Sequence, residues 1–201
     1  QGIIRTTIAF VLVFSDLVGG STLVYLVPRF RFSLLLFPAY TWSVLISAVA
    51  FVMLGATGLV DHEYVLHISL LSILNSFTNI HSTLLIGREK IRTANFISLV
   101  QPLLVMASLL VTFLLFDLHS IDAYLIALYI SFGSGMLISL LYTLKVFGIP
   151  EWQAARDYLR VIGELFRLGF MNQMAHITQM MSFRLSYYFL ELYHGEASVG
   201  I

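Results

Sequence analysis

The sequence has no cysteine and few charged residues, and each shortage excludes a class of protein. Without cysteine, this chain cannot form disulfides, bind metals or iron–sulfur clusters through thiolates, or use thiol catalysis. Charged residues make up 11% of it, against roughly a quarter in soluble domains. Its 11 basic and 11 acidic residues balance, and no basic tail or RNA-binding aromatic motif is present, so no nucleic-acid partner is expected.

What the chain does have is long apolar runs. Hydrophobic residues make up 59% of it, and its mean hydropathy is +0.90. Apolar runs of about 20 residues, separated by short polar joints, predict membrane-spanning helices, whereas barrel strands would show about ten residues of alternating polarity. We therefore expect an all-α, polytopic membrane helical bundle.

Six spans are predicted, at about residues 3–27, 34–60, 64–86, 94–116, 123–147 and 165–193. Residues 1–148 would hold five helices, residues 149–164 an amphipathic linker in the membrane interface, and residues 165–201 the last helix, cut short. The pair Gly19-Gly20 predicts a point where the first helix packs closely or loosens, and Gln101-Pro102 predicts a kink. Because Gln1 is not preceded by Met and the sequence stops just after a helix, we expect a fragment.

Basic residues predict the orientation. The joints after the first, third and fifth spans hold nine of them: Arg29, Arg31, Arg88, Lys90, Arg92, Lys145, Arg156, Arg160 and Arg167. The opposite joints are acidic, with Arg5 as the exception near the start. The positive-inside rule makes the basic joints cytoplasmic and places both ends of the chain outside.

The last span carries the most informative polar residues. Asn172, Gln173, His176, Gln179 and Arg184 interrupt its apolar residues. An Arg at that depth costs about 2.5–3.5 kcal/mol to insert, so it is expected to face a bundle interior or a wet cavity. At helical spacing, most of these residues share one stripe, which predicts the wall of a translocation path. The alternative is that the amides only bond neighbouring helices.

Two further sets of polar residues are predicted to meet this stripe. Asp16 is the acidic residue deep within a span, and we hypothesise that Asp16 and Arg184 face a shared cavity, paired directly or bridged by substrate and water. In the alternative, each meets some other polar group. The third span adds a second polar stripe, which includes Asn75 and Asn79.

The sequence gives little support for a metal site, a catalytic site or a cofactor. His62, His67, His119 and His194 lie near the outer joints, and their spacing matches no ligand motif, so no metal site is expected. No Ser/His/Asp set, catalytic carboxylate pair or phosphate loop is present, so neither an enzyme nor a cofactor is expected. His176 is the better-placed histidine for coupling transport to protons. The cluster from Gly87 to Arg92 either recognises anionic headgroups or only sets topology.

Several stretches carry a family resemblance. GREKIRTANFISLVQPLL (87–104), FRLGFMNQMAHITQMMSFRLSYYFLELYHGEASVGI (166–201) and GGSTLVYLVPR (19–29) resemble bacterial polysaccharide-biosynthesis flippases of the Wzx (O-antigen) type, in the multidrug/oligosaccharidyl-lipid/polysaccharide exporter superfamily. The resemblance implies a two-lobe transporter of twelve or fourteen helices, of which this chain would supply helices two to seven. It implies Arg184 as the cation for a polyprenyl pyrophosphate, with Asn172, Gln173, His176 and Gln179 facing sugars and Asp16 in helix two. Relatives often carry Asp two residues after the Arg, where this chain has Ser186.

The resemblance thus predicts a flippase that moves a lipid-linked oligosaccharide across the bacterial inner membrane, without making or breaking a bond. Membrane lipids and other polysaccharide-assembly proteins would be its partners. The nearest alternative is a cation-coupled multidrug or small-molecule antiporter of the same superfamily, which would use cavity carboxylates. An intramembrane glycan polymerase or acyltransferase would need a catalytic constellation, which the sequence does not show.

The predicted orientation can be tested by labelling, because the native chain has no cysteine. A Lys90→Cys variant should stay unlabelled when intact cells are treated with an impermeant maleimide, and should label once the membrane is opened. A Glu63→Cys variant on the opposite joint is the matched control and should label in intact cells. Labelling of position 90 from outside would reverse the predicted topology.

Overall fold

In a computed structural model, which describes residues 2–57, 60–115 and 121–194, all regular elements are α-helices. They are α1 (Gly2–Gly19), α2 (Ser21–Leu26), α3 (Phe32–Thr57), α4 (His62–Gly87), α5 (Ile91–Leu115), α6 (Ile121–Phe147) and α7 (Ala155–His194). The predicted all-α helical bundle is therefore confirmed. The predicted loosening at Gly19-Gly20 is confirmed too, because α1 ends and α2 begins there.

Helix α4 lies at the centre of the bundle. It packs against α1, α2, α3, α5 and α6. Its polar residues Ser72, Ser76 and Thr78 are buried, as are Leu71 and Leu84 beside them. The second polar stripe predicted from the sequence therefore faces the interior, where Asn79 bonds Asp16 on α1 and Asn75 bonds Gln101 on α5.

The outer helices turn apolar side chains outward. Among the described residues, three helices are long and apolar enough to cross a membrane: Phe32–Thr57, Ile91–Val111 and Ala123–Phe147. On α5 the exposed residues recur at helical spacing as Phe96, Leu99, Leu103, Met106 and Leu110. An apolar outer surface of this kind indicates a membrane-embedded protein. That α1, α4 and α7 also cross stays a prediction.

Buried hydrogen bonds connect α4 to its neighbours. His81 is fully buried, and its two ring nitrogens lie against the hydroxyl of Tyr40 on α3 and, at 2.8 Å, the hydroxyl of Ser139 on α6. A second histidine, His67, lies 2.9 Å from the hydroxyl of Tyr129. His67 lies in the second turn of α4, near the outer joint as predicted, and its half-buried ring joins α4 to α6.

The three basic joints meet at one end of the bundle. Phe32 at the start of α3 stacks on Phe147 at the end of α6, with ring centroids 4.5 Å apart. The guanidinium of Arg88 lies 5.3 Å from the centre of the same Phe147 ring. Gly87 approaches Val27 so closely that an added Cβ would lie 2.8 Å from the Val27 Cβ. The loops and helix ends at these contacts carry Arg29, Arg31, Arg88, Lys90, Arg92, Lys145 and Arg156, together with Glu89, Glu151 and Asp157, and we call this the basic end.

Helix α7 is a single helix of 40 residues. From Ala155 onward, the predicted interfacial linker is part of the same helix as the last predicted span. Its first half packs against α1, α2 and α3. The closest approach is at Gly169, where an added Cβ would overlap the carbonyl oxygen of Leu17 on α1. Glycine at 169 is therefore what allows α1 and α7 to lie in contact.

Helix α7 contains Gly163 and Gly169, which provide a matched test of its contact with α1. Gly169→Ala should lower stability by about 1–3 kcal/mol, because the new methyl group forces α1 and α7 apart. Gly163→Ala adds the same group where nothing lies within 4 Å. It should be neutral or stabilising, by up to about 1 kcal/mol, since Ala favours helix more than Gly. Thermal unfolding in detergent measures both, and equal midpoints for the two variants would contradict the close approach.

Candidate functional site

A polar cleft lies between α7 and the junction of α1 with α2. Its volume is about 310 Å³, and we call it the α1/α7 cleft. It is lined by Val13, Asp16, Gly20, Ser21, Asn172, Gln173, Ala175 and Gln179. Four of the residues predicted from the sequence as site residues, Asp16, Asn172, Gln173 and Gln179, are thus brought together by the fold.

Asp16 is the carboxylate of the cleft. It is half-buried, and its Oδ1 accepts a hydrogen bond of 2.7 Å from Nδ2 of Asn79 on α4. Gly19, one turn further along α1, has no side chain to cover this oxygen, and an added Cβ there would lie 3.6 Å from it. Asn79 does not line the cleft itself, but it fixes the position of the carboxylate that does.

The three amides of α7 are used in two ways. Gln173 is buried, and its Nε2 donates to the backbone carbonyl of Val13. Asn172 is exposed, and its Nδ2 donates to Oγ of Ser21 at the start of α2. Gln179 lines the cleft from an exposed position two turns further along. Gln173 and Asn172 therefore both bond neighbouring helices, as the alternative expected, and all three residues line the cleft.

Asn75 lies elsewhere. Its Oδ1 accepts a hydrogen bond of 3.0 Å from Nε2 of Gln101 on α5. Both residues line a separate cavity of about 300 Å³, which also includes Ile8, Leu12, Pro102, Val105 and Phe132. Beside it, the hydroxyl of Ser131 donates to the carbonyl oxygen of Gln101 at 2.6 Å. The structure therefore separates Asn75 from the cleft, although Asn75 and Asn79 lie one turn apart on α4.

Arg184 and His176 belong to α7, but their side chains lie outside the described residues. The two residues are therefore located by their positions along the axis of α7. Leu17 meets Gly169 and Val13 meets Gln173, so α1 and α7 run antiparallel. Arg184 follows Gln173 by eleven residues, which is about 16 Å along α7 and leads away from Asp16. The hypothesised direct pair of Asp16 and Arg184 stays a prediction, and this register favours its bridged form.

Sequence reasoning missed two parts of the site. Ser21 and the carbonyl of Val13 bond the α7 amides, and neither was a candidate. Gly19-Gly20 was the available signal, because a helix break exposes the hydroxyl of the next residue, Ser21. The fully buried His81 was missed as well, since a lone histidine among apolar and hydroxyl residues has no distinctive spacing.

The cleft offers hydrogen-bonding groups of both kinds together with one carboxylate. Amides donate and accept, the Ser21 hydroxyl does both, and an ionised Asp16 accepts only. Among the described residues, no three His, Asp or Glu side chains are grouped as metal ligands would be. The arrangement can therefore bind a polar, largely uncharged or partly cationic molecule through hydrogen bonds.

Comparison of this chain with known protein families, curated proteins and solved structures finds no match. The resemblance described from the sequence therefore stays a prediction. The function has to be argued from the geometry of the cleft.

If the cleft is wet, cysteines placed in it should react with charged reagents. Ser21→Cys and Gln179→Cys should be modified by a water-soluble, positively charged methanethiosulfonate, because a hydrated thiol ionises far more readily than a thiol in lipid. Leu99→Cys, on the exposed apolar face of α5, is the control and should stay unreactive. Equal reactivity at positions 21 and 99 would show that the cleft is no wetter than the lipid-facing surface.

Proposed function

We propose that this chain is part of a flippase that carries a polyprenyl-pyrophosphate-linked oligosaccharide across the bacterial cytoplasmic membrane for surface-polysaccharide biosynthesis. The observation that carries the proposal is the α1/α7 cleft, in which amides, a hydroxyl and a carboxylate converge within a membrane-embedded bundle. Polar side chains at membrane depth are expensive, so they generally mark a substrate pathway. The resemblance noted from the sequence supports the same class of transporter.

The cleft suits the sugars of such a substrate. A sugar hydroxyl both donates and accepts, so it needs partners that do the same, and Asn172, Gln179 and Ser21 provide them. Asp16 is held in place by Asn79 and adds a strong acceptor. These side chains would replace the water that surrounds the glycan in the cytoplasm, while the lipid tail stays in the bilayer.

The pyrophosphate belongs at a different level. An anion beside Asp16 would be repelled, whereas Arg184 lies three turns beyond Gln173, about 16 Å along α7. We place the glycan at the Asp16 level and the pyrophosphate towards Arg184. One substrate would then bridge the two residues that the sequence singled out, without an ion pair between them. No bond is made or broken, so this is transport without enzymatic chemistry, and rocking of two lobes would expose the site to each side in turn.

One observation favours a second candidate. Asp16 is a half-buried carboxylate whose position is fixed by Asn79, and such a group also binds a proton or a small cation. A cation-coupled multidrug or small-molecule antiporter would use it in that way. An intramembrane glycan polymerase or acyltransferase has no comparable support among the described residues.

The test is the leaflet location of the lipid-linked oligosaccharide in cells that lack the full-length gene. Under the proposal it accumulates in the cytoplasmic leaflet, where an impermeant sugar-binding probe reaches it only after the membrane is opened. Normal glycan export combined with new sensitivity to toxic cations would replace the flippase with the antiporter.

Complementation with variants then tests the cleft. Asn172→Leu should reduce glycan export about tenfold, which corresponds to about 1.4 kcal/mol and to the loss of one hydrogen bond to the substrate. Asn95→Leu changes an exposed Asn on α5, away from the cleft, and should leave export unchanged. Arg184→Ala should impair export at normal protein levels. Normal export with both Asn172→Leu and Arg184→Ala would remove the cleft from the pathway.

A further inference from the structure

An apolar groove lies nearer the start of α7 than the polar cleft does, at residues 158–166 instead of 172–179. It has a volume of about 300 Å³ and runs between α3 and α7 near the basic end. Its lining includes Phe37, Trp42 and Leu45 on α3, Tyr158 and Phe166 on α7, and Trp152 just before α7. We call it the α3/α7 groove.

The direction of the groove matches that of a lipid chain. Phe37 lies against Tyr158, with ring centroids 6.3 Å apart, and Trp42 lies against Phe166, at 4.8 Å. Both pairs advance along their helices in the same sense, so α3 and α7 are parallel here. The lining residues span Phe37 to Leu45 on α3 and Tyr158 to Phe166 on α7. Each span is eight residue steps, or about 12 Å along the helix axis. Because α3 is long and apolar enough to cross a membrane, we take the groove to run across the bilayer with it.

The groove has almost nothing to offer a polar ligand. The hydroxyl of Thr41 in its wall donates to the carbonyl of Phe37 at 2.9 Å. The indole N–H of Trp42 donates to the carbonyl of Phe14 at 3.0 Å. Since these donors are already used, the wall presents apolar and aromatic surface, which an acyl chain matches.

The guanidinium of Arg31 lies near the mouth of the groove. Trp152 stacks on Phe37 with ring centroids 4.6 Å apart and forms the rim. The next residue, Gln153, accepts through its Oε1 a hydrogen bond of 3.1 Å from the guanidinium of Arg31. Arg31 is exposed, and one bond to Gln153 leaves other N–H donors of its five available to a phosphate. The basic end around it holds seven basic and three acidic residues, and such a surface attracts anionic lipid.

From the apolar wall, the direction across the bilayer and the cation at the mouth, we infer that the α3/α7 groove is a binding site for an anionic phospholipid, with an acyl chain in the groove and the headgroup phosphate at Arg31. The site is separate from the α1/α7 cleft and does not depend on what the cleft carries. It assigns Arg31 a role beyond setting topology.

The tryptophans of the sequence allow a direct test, because it has two and both line the groove. The full-length protein, in which Phe replaces any tryptophan outside this sequence so that Trp42 and Trp152 report alone, is reconstituted in phosphatidylcholine vesicles. Phosphatidylglycerol or phosphatidylcholine with brominated acyl chains is then added, and each quenches tryptophan on contact. Phosphatidylglycerol should reach half-maximal quenching at a mole fraction about fivefold lower than phosphatidylcholine, as expected for one basic residue near the headgroup.

Three variants locate the effect. Arg31→Gln should bring the ratio between the two lipids to about one, because the phosphate loses its partner. Arg92→Gln removes the same charge from the start of α5, at the same end of the bundle, and should keep the preference. Ile162→Phe fills the groove and should reduce quenching by both lipids. Circular dichroism in the same vesicles verifies that each variant is folded.

Three results of the quenching experiment would contradict this inference. Equal quenching of the unaltered protein by the two lipids would overturn the site, because the groove would then be ordinary lipid-facing surface. An equal loss of preference in Arg31→Gln and Arg92→Gln would reduce it to the net charge of the basic end. Unchanged quenching of Ile162→Phe would move the bound chain out of the groove.

Discussion

A bilayer does not hydrogen-bond the polar groups of a helix, and that constraint orders the whole bundle. Helix α4 carries serines, threonines, asparagines and histidines along its length, so it can be stable only where other helices surround it. It occupies the centre, and His81 and His67 each reach hydroxyl groups on neighbouring helices. The apolar helices α3, α5 and α6 are then free to face lipid. Polarity therefore decides which helix is central, in contrast to soluble bundles, where apolar residues do so.

The break at Gly20 explains how a polar cleft can exist beside such a packed core. Helix α1 ends at Gly19, and α2 begins at Ser21, whose hydroxyl is thereby placed beside Asn172. Just before the break, Gly169 lets α7 touch the backbone of α1 at Leu17. The cleft lies beside this contact, with Asp16, Asn172 and Ser21 in its wall. The two glycines thus shape the cleft, one by ending α1 and the other by letting α7 approach it.

Helix α7 forms one wall of the α1/α7 cleft and one wall of the α3/α7 groove. Asn172 and Gln173 face the polar cleft, while Ile162 and Phe166 face the apolar groove. On α1 the same division separates Asp16 from Val18, which lines the groove. Any movement of α7 against α1 and α3 would change the two sites together. A lipid bound in the groove would therefore act on the same helix that contacts the proposed substrate.

The sequence by itself determined the helical class, the positions of the first five spans to within a few residues, the break at Gly19-Gly20 and the inward direction of the α4 stripe, whereas α7 begins ten residues before the predicted sixth span. These follow from local chemistry, because apolar length, helical spacing and glycine act within one helix. It also singled out Asp16, Asn172, Gln173 and Gln179, since polar residues are costly in lipid wherever they face. Only the tertiary structure decided which of them meet. Asn75 and Asn79 are equivalent on one helix face, yet Gln101 takes the first and Asp16 the second, because the choice depends on which helix lies opposite. The use of Gln173 by the Val13 carbonyl and the pairing of α3 with α7 around the groove were decided in the same way, by contacts between residues more than a hundred positions apart.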